Sequence, residues 1–206
     1  MPKWTETDPA YLEHLERVAS KIVIQADESH KIPTLSDIER WHRDLYSPVA
    51  DPPVRAGKIR CQGKHPALNV PVSIGDKHGC LPAIVPFVMA TYCGKLRQRI
   101  QDLDTRIASL EDGEDLEEIA SLVAWAHGEF ARIHPFCDGN GRMSRLIANI
   151  LLLRYDTPYQ LTYRPRPSGD YGVCGRASMD GDHEPMKIFL LNEIVAASVN
   201  FATKSS

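Results

Sequence analysis

Residues 116–155 read LEEIASLVAWAHGEFARIHPFCDGNGRMSRLIANILLLRY and contain the strongest pattern in the chain. Before His134, apolar side chains recur at steps of three and four, which predicts one buried face of a long helix. The residues of this face are Leu116, Ile119, Val123, Ala126, Phe130 and Ile133. After Gly141 a second apolar stretch runs to about Tyr155. Two apolar helices joined by a short polar loop predict a mainly α-helical fold.

Weaker helix patterns lie on both sides of this stretch. The first begins at Asp8-Pro9 and runs to about residue 24, because Asp is a good N-cap and Pro suits the first helical position. The second is capped by Thr34 or Ser36 and ends at Ser47-Pro48. Further helices are expected over about residues 86–103 and 185–200.

The segment 48–84 is rich in proline and glycine and favours short extended pieces. Residues 69–74 and 81–84 are expected to form a loose hairpin whose turn covers residues 75–79. The prolines confine such strands to a sheet edge, because proline has no N–H to donate to a neighbouring strand. The expected fold is therefore mainly α with one small β element.

The loop between the two strongest helices has the residue types of a phosphate site. Gly139 and Gly141 allow the backbone to turn sharply at the start of a helix. Free N–H groups and the helix dipole attract anions at that position. Arg142 and Arg145 lie three residues apart, so both guanidinium groups project from one side of the helix and can grip phosphates.

Two further residues of the loop suit the chemistry of phosphate transfer. Asp138 is a hard oxygen ligand that suits Mg²⁺ bound to phosphate oxygens, and His134 can accept a proton. Each residue also has a structural interpretation, because an Asp before Gly is common in turns and a His at a helix end is often a cap. The combination of all these residue types within twelve positions favours the functional interpretation.

Residues 134–142, HPFCDGNGR, resemble the Fic family signature His-Pro-Phe-x-[Asp/Glu]-Gly-Asn-Gly-Arg at all eight fixed positions. Arg145 matches a second arginine that often follows in that family. Residues 56–60, AGKIR, resemble the upstream Gly-Lys-x-Arg segment, and residues 171–190 are similar to the family's C-terminal part. The resemblance spans roughly residues 36–196. It implies a Fic-type helical bundle with a small β-hairpin flap at residues 69–84.

The resemblance also implies a division of the chain and an activity. A helical extension over residues 1–35 would precede a Fic domain over 36–200, and residues 201–206 would form a loose tail. The activity implied is that of a protein adenylyltransferase, which moves AMP from ATP to a Ser, Thr or Tyr hydroxyl of a target protein. His134 would be the base, and Asp138 would hold Mg²⁺ on the phosphates.

The resemblance assigns the remaining site residues. The phosphates would be bound by Gly139, Asn140, Gly141, Arg142 and Arg145, and Phe136 would anchor the loop in the core. Val72, Ser73 and Ile74 of the flap would hold the target by adding its backbone as a further strand. Tyr171 would contact the adenine.

Two details refine the expected activity and its control. Related toxins that phosphorylate their targets have Ala and Lys at the glycine positions, so Gly139 and Gly141 favour nucleotide transfer. Many family members carry an inhibitory helix with the pattern Ser/Thr-x-x-x-Glu-Gly/Asn, which is absent from this sequence; Ser36-Asp37-Ile38-Glu39 has the wrong spacing. The resemblance therefore implies either a separate antitoxin-like partner or no such control.

Bulk properties exclude some classes of protein. The chain has 206 residues, is 43% hydrophobic and carries a net charge of −3, so it can build a core and lacks the basic balance of a general nucleic-acid binder. No apolar run is long enough to span a membrane, and no signal region is evident, so the cytoplasm is the expected location. Export by a dedicated secretion machine would escape this test.

Several alternatives remain open from the sequence. The same site could transfer another phosphate-containing group, such as UMP or phosphocholine, or the chain could be a non-catalytic helical interaction module. The five cysteines make a disulfide framework unlikely, because their number is odd and the chain is not small. Cys61, His65, His78 and Cys80 could in principle bind zinc as a regulator, although their spacing fits no common zinc pattern.

Overall fold

The computed structural model describes residues 4–109 and 113–204. These residues form seven α-helices and one two-stranded antiparallel sheet. The helices are α1 (Pro9–Ser29), α2 (Leu35–Tyr46), α3 (Val85–Arg106), α4 (Glu114–Ile133), α5 (Asn140–Arg154), α6 (Tyr171–Met179) and α7 (Glu184–Lys204). The strands are β1 (Ser73–Ile74) and β2 (Lys77–His78). The predicted mainly helical fold with a small hairpin is confirmed.

The caps expected for the first two helices are present. The Asp8 side chain accepts a hydrogen bond from the Ala10 N–H, and Pro9 occupies the first helical position. Thr34 caps α2 through a reciprocal pair of bonds, in which its hydroxyl accepts from the Asp37 N–H and the Asp37 carboxylate accepts from the Thr34 N–H. These bonds satisfy N–H groups that have no partner within the helix.

Helices α4 and α5 form the centre of the molecule. Five of the six residues of the predicted α4 face are buried, and Leu116 packs partly buried against the same core. Helix α5 is buried on nearly all sides, from Asn140 to Leu152. A helix that is buried all round must be covered by other elements, and α1 and α4 both pack on it. The loop between α4 and α5 is therefore held between two fixed helices.

The structure differs from the sequence prediction at three places. The second strand of the hairpin is Lys77–His78, whereas residues 82–84 form a 3₁₀ turn because Pro82 cannot continue a strand ladder. Helix α6 was not predicted. Helix α7 extends to Lys204 and so includes positions assigned to a loose tail, while residues 205–206 lie outside the described residues.

The N-terminal helix shares the core of the rest of the chain. Leu15, Ala19 and Val23 of α1 are buried in the same apolar cluster as the residues of α4 and α5. The division into an extension over 1–35 and a domain over 36–200 stays a prediction. None of the helices within the described ranges is both long and apolar enough to cross a membrane.

Candidate active site

The backbone places His134 at the point where α4 ends. His134 adopts the left-handed conformation, with φ 53° and ψ 59°, and its N–H donates to the Phe130 carbonyl. A non-glycine residue in that conformation costs roughly 1–2 kcal/mol, so surrounding bonds must hold it there. The His134 Nδ1 lies 3.0 Å from the Ala131 carbonyl oxygen. Since a carbonyl only accepts, Nδ1 carries the proton and Nε2 retains its lone pair.

The surroundings keep this imidazole neutral. Burial lowers the pKa of His134 to about 4, with a further lowering by the positive charge of Arg60, against the opposing effect of the Ala131 hydrogen bond. A charged imidazolium is disfavoured where water is excluded and where another cation lies nearby. His134 is therefore a neutral proton acceptor at physiological pH.

The turn after His134 leaves backbone N–H groups without acceptors in the described part of the chain. Gly139 has φ 76°, and a Cβ there would clash with the Tyr46 ring, so the turn requires glycine. The N–H groups of Asn140 and Gly141 begin α5 and bond to no acceptor among the described residues. The Asn140 side chain forms two hydrogen bonds with the backbone of Phe136: it accepts from the Phe136 N–H and donates to the Phe136 carbonyl. The side chain of Asn140 is therefore occupied, and its backbone N–H is the group to which no described residue offers an acceptor.

Aromatic packing from α2 supports the loop. The Phe136 side chain is fully buried and stacks on the His42 ring, with ring centroids 3.7 Å apart. His42 Nε2 lies 3.1 Å from the Asp138 carbonyl oxygen, and its Nδ1 accepts from the Gly57 N–H. Burial lowers the pKa of His42 to about 3, so this neutral ring is a structural bridge. Phe136 is the loop anchor that the sequence indicated, whereas His42 was not foreseen.

The first arginine of the loop is paired with a residue from the N-terminal segment. The Arg142 guanidinium forms an ion pair with the Glu6 carboxylate and donates to the Tyr11 hydroxyl at 2.8 Å. Glu6 also accepts from the Tyr46 hydroxyl at 2.9 Å and from Arg164 at 3.3 Å. Burial raises the pKa of Glu6, but the charge of Arg142 and the hydrogen bonds lower it overall. Glu6 therefore remains a carboxylate beside the candidate phosphate site.

The second arginine has no such partner. Arg145 is 7% exposed and donates to the Tyr163 carbonyl at 3.1 Å and to the Tyr171 hydroxyl at 3.3 Å. Its Nε has no hydrogen-bond partner, and none of the described carboxylates lies within ion-pair distance. The Tyr171 hydroxyl also lies 2.8 Å from Nε2 of the buried His127. Arg145 is thus held by neutral groups, and its charge is uncompensated.

Two cavities meet at His134. The phosphate-side cavity, about 470 Å³, is lined by His134, Asp138, Gly139, Asn140, Gly141, Arg142, Arg145, Arg164, Pro165 and Arg166. The flap-side cavity, about 330 Å³, lies between the hairpin, α4 and α6 and includes Ile74, His127 and Tyr171. His134, Gly141, Arg145 and Arg166 line both. Four arginines around the phosphate-side cavity favour a polyanionic ligand.

Comparison with known proteins decides the family. The Fic/DOC family profile matches residues 32–152, which is more than half of the chain and contains the whole loop. The chain belongs to the Fic/DOC family. Among curated relatives, Protein adenylyltransferase Fic of Drosophila persimilis and that of Drosophila melanogaster are each 29% identical over 157 residues, or 76% of this chain. The chain spans about a quarter of the length of these relatives.

Solved structures share the fold. Fic-1 from C. elegans (residues 134–508) superposes with a TM-score of 0.63 at 20% identity, covering 95% of this chain and 51% of that one. A Fic-domain signaling protein from Bacteroides thetaiotaomicron has a TM-score of 0.65 at 17% identity, covering 91% and 68%. BepC from Bartonella tribocorum with bound AMPPNP has a TM-score of 0.53 at 16% identity, covering 90% and 87%. The expected Fic-type architecture is confirmed.

Two ion pairs connect the flap of this Fic fold to α6 and the residue that follows it. Lys77 forms an ion pair with Asp180 at 2.6 Å, and Asp76 forms another with Arg176. Of the residues proposed to dock a target, Ser73 is exposed, Val72 and Ile74 are half-buried, and Ile74 lines the flap-side cavity. Their docking role stays a prediction, as does the contact of Tyr171 with adenine.

Of the four candidate zinc ligands, the two histidines have other hydrogen-bond partners. His65 Nδ1 accepts from the Ala67 N–H, and His78 Nδ1 lies 3.0 Å from the Ser73 hydroxyl. Cys61 and Cys80 are free thiols. Within residues 4–109 and 113–204, no group of three or more His, Cys, Asp or Glu side chains is placed to hold a metal ion. The structure therefore gives no support to a zinc site at these positions.

Besides His42, the residues of the site that escaped the sequence analysis include Glu6, Tyr46, Arg164 and Arg166. A weak signal existed for the arginines, because they alternate with prolines in the segment 163–167, YRPRP. Glu6 contacts Arg142 across 136 residues of sequence and Tyr46 contacts Asp138 across 92, and no local pattern indicates such contacts.

Proposed function

We propose that this chain transfers AMP from ATP to a hydroxyl side chain of a target protein. The observation that carries the proposal is the position of His134, a neutral imidazole with its Nε2 free, at the junction of an arginine-lined cavity and a cavity beneath the flap. Triphosphate in the first cavity and a target segment on the flap would bring a hydroxyl and a phosphorus atom together at that residue. Holding two reactants in this way supplies much of the rate enhancement of such reactions.

In the proposed step, the target oxygen forms a bond to the α-phosphorus of ATP while the bond from that phosphorus to the α–β bridging oxygen breaks. The proton of the hydroxyl passes to Nε2 of His134, and pyrophosphate leaves. The free N–H groups of Asn140 and Gly141, with Arg142 and Arg145, would stabilise the negative charge of the phosphates.

The residues present fit a magnesium ion bound together with the nucleotide. Mg²⁺ usually takes one or two carboxylates plus phosphate oxygens and water, and the Asp138 carboxylate lines the phosphate-side cavity. The surrounding protein removes part of the water around Asp138, and the charge of Glu6 adds to this, so the pKa of Asp138 is raised. A divalent cation would offset the repulsion between the Asp138 and Glu6 carboxylates. It would supply charge neutralisation to the phosphates and the departing pyrophosphate.

Asp138→Asn tests the magnesium role. We expect the Mg²⁺ concentration for half-maximal transfer to rise at least about tenfold, because the variant loses the only carboxylate ligand assigned to the ion. Asparagine keeps the oxygen that accepts from the Gly139 N–H, so the turn should persist. The control is Asp44→Asn, whose carboxylate is exposed on α2. An unchanged Mg²⁺ titration would place the ion elsewhere.

The comparisons support AMP transfer over other reactions of the fold. The curated relatives are named protein adenylyltransferases, and BepC was solved with a bound ATP analogue. Transfer of UMP or phosphocholine would use the same loop, and a binding module would retain nucleotide without turnover. Incubation of the chain and a lysate with ATP labelled at the α- or the γ-phosphate separates these outcomes. Label transferred from the α position alone supports the proposal, and competition by excess UTP or CDP-choline would contradict it.

Glu6 must release Arg142 before that arginine can bind phosphate. Glu6→Gln removes the negative charge that competes with phosphate for Arg142. We expect the KM for ATP to fall about three- to tenfold, which corresponds to the interaction energy of a partly exposed ion pair plus the repulsion between Glu6 and the phosphates. The control is Glu13→Gln, an exposed carboxylate on α1. An increase in KM would show instead that Glu6 holds Arg142 in its binding position.

The charge state of Arg145 bears on regulation. With no carboxylate near it among the described residues, Arg145 is available to phosphate without displacement of an internal partner. This agrees with the absence of the inhibitory sequence pattern. A separate antitoxin-like inhibitor therefore stays a prediction, and a toxin role rests on that prediction.

A further inference from the structure

Arg60 is a buried charge with an unusual set of partners. Its side chain is fully buried, at 0% exposure, and it forms no ion pair with the carboxylates of the described residues. A buried arginine is normally paired with an acidic group, because a charge removed from water is costly. Arg60 must therefore be stabilised in another way.

Its partners are backbone carbonyls at the end of α4 and the start of the flap. Nε donates to the His134 carbonyl at 2.9 Å, Nη2 to the Ile133 carbonyl at 3.1 Å and Nη1 to the Val70 carbonyl at 3.3 Å. The last carbonyls of a helix lack partners within the helix and carry its negative dipole end. A guanidinium placed there satisfies those carbonyls and is itself stabilised by the dipole.

The same contacts hold the backbone of His134. Besides the bond from Nε to the His134 carbonyl, the Arg60 N–H donates to the Pro135 carbonyl at 2.7 Å. Together with the bond from Nη2 to the Ile133 carbonyl, Arg60 therefore holds carbonyls both before and after the left-handed residue. Because the backbone at His134 sets the direction of its imidazole, Arg60 determines where Nε2 points without touching any ligand site.

Arg60 also links this turn to both ends of the flap. Val70, which it contacts, precedes β1, and the Cys80 N–H after β2 donates to the Ile133 carbonyl at 3.2 Å. Between them, Gly79 packs so closely that a Cβ would lie 2.6 Å from the His134 Cβ. A shift of the guanidinium would therefore move the flap and the imidazole relative to each other.

We propose that Arg60 is a positioning residue that holds the imidazole of His134 and the base of the flap in one fixed arrangement. The inference rests on the proposed function for its kinetic consequence, but the arrangement itself can be measured without substrate. Neither cavity is lined by Arg60, so the inference assigns it no contact with nucleotide.

The charge of Arg60 gives this arrangement a measurable signature. It lowers the pKa of His134, after the larger effect of burial. The other charged or titratable groups that share the two cavities with His134 are Asp76, Lys77, His127, Asp138, Arg142, Arg145, Arg164, Arg166, Tyr171 and Arg176. Cys80 and Cys137 face Arg60 itself. Replacing Arg60 removes none of these groups, so a change in the His134 titration reports the loss of the Arg60 charge and contacts.

The first measurement uses no substrate. Histidine-labelled protein is titrated by NMR, with His134→Asn to assign the signal of His134. In Arg60→Met the pKa of His134 should rise toward the ordinary imidazole value of about 6.5. In Arg60→Lys, which keeps the charge, it should stay near that of the unchanged protein. The matched control is Arg55→Met, because Arg55 also donates only to carbonyls, those of Asp51 and Ala67, but does not touch the turn.

The second measurement is steady-state AMP transfer by the folded variants. We expect kcat to fall about 10²-fold in Arg60→Met with the KM for ATP within twofold of the starting value, because a small misplacement of a reacting group costs that much. Arg60→Lys should recover only part of kcat, since an ammonium cannot span three carbonyls as a planar fork does. Should Arg60→Met not fold, the Lys variant carries the same test through its kcat.

The outcomes separate the two proposals. A folded Arg60 variant with unchanged kcat and an unchanged His134 titration overturns the positioning role. Equal losses in kcat and in ATP affinity would also overturn it, since they would indicate general structural damage. If the protein transfers no AMP before any substitution, the proposed function alone is contradicted. A raised pKa of His134 in Arg60→Met, with Arg55→Met unchanged, then still supports the contact of Arg60 with the His134 turn.

Discussion

Replacing His134 by asparagine is expected to lower the rate of AMP transfer by about 10²–10⁴, which is what a general base typically contributes. Asparagine is the suitable replacement because it tolerates the left-handed backbone of this position, φ 53°, better than alanine does. ATP affinity should change little, since the imidazole acts on the target hydroxyl rather than on the phosphates. Initial transfer rates and calorimetric ATP titrations provide the two measurements.

The matched control for that variant is His30→Asn. His30 also adopts a left-handed conformation, with φ 45°, but it is exposed at the end of α1 and lines neither cavity. It should retain the full rate. Transfer at the original rate by His134→Asn would remove the base assignment, and a folded His134→Asn protein without ATP affinity would reassign the residue to nucleotide binding.

The pH dependence of AMP transfer tests the role of His134 independently of any substitution. An imidazole acts as a base only when unprotonated, and burial lowers the pKa of His134 to about 4. The base form is therefore retained as the pH falls through 6.5 and is lost only as it approaches 4. We expect kcat/KM to fall on the acid side near that lower value, whereas a histidine with an ordinary pKa would lose activity from about 6.5.

The parts of the fold that the sequence predicted are those determined by local patterns. The apolar spacing from Leu116 to Ile133 matches α4, because a helix with one buried face must repeat every three or four residues. Asp8 and Thr34 cap their helices as expected, since a side-chain oxygen at that position satisfies an N–H a few residues away. A sharp turn was expected at Gly139 and Gly141; Gly139 has a positive φ, whereas Gly141 lies within α5.

The missed elements depend on distant contacts. Helix α6 contains Gly172 and Gly175, which weaken a helix signal, and it is stabilised by the buried Tyr171 and Cys174. Asn140 was assigned to phosphate binding through the family resemblance, and its side chain bonds to the Phe136 backbone. The pairing of Glu6 with Arg142 joins residues 136 positions apart, so no sequence window contains both.

Arg145 is expected to be the most sensitive of the candidate phosphate ligands. It lines both cavities, and its position is determined by hydrogen bonds to the Tyr163 carbonyl and the Tyr171 hydroxyl. These partners carry no negative charge, so the guanidinium keeps its full charge for a ligand. Arg142, in contrast, is partly neutralised by Glu6 before nucleotide arrives.

Arg145→Ala is therefore expected to lower the rate of AMP transfer by about 10²–10³, the usual effect of removing a preorganised donor from such a site. Both kcat and ATP affinity should suffer, because the charge is present before the reaction and throughout it. The control is Arg97→Ala, which replaces an arginine that is exposed on α3 and lines neither cavity; the activity of this variant should be unchanged.

Arg145→Lys distinguishes charge from geometry: a lysine that restores the rate would show that charge alone suffices. Activity of Arg145→Ala equal to that of the Arg97 variant would exclude Arg145 from phosphate binding.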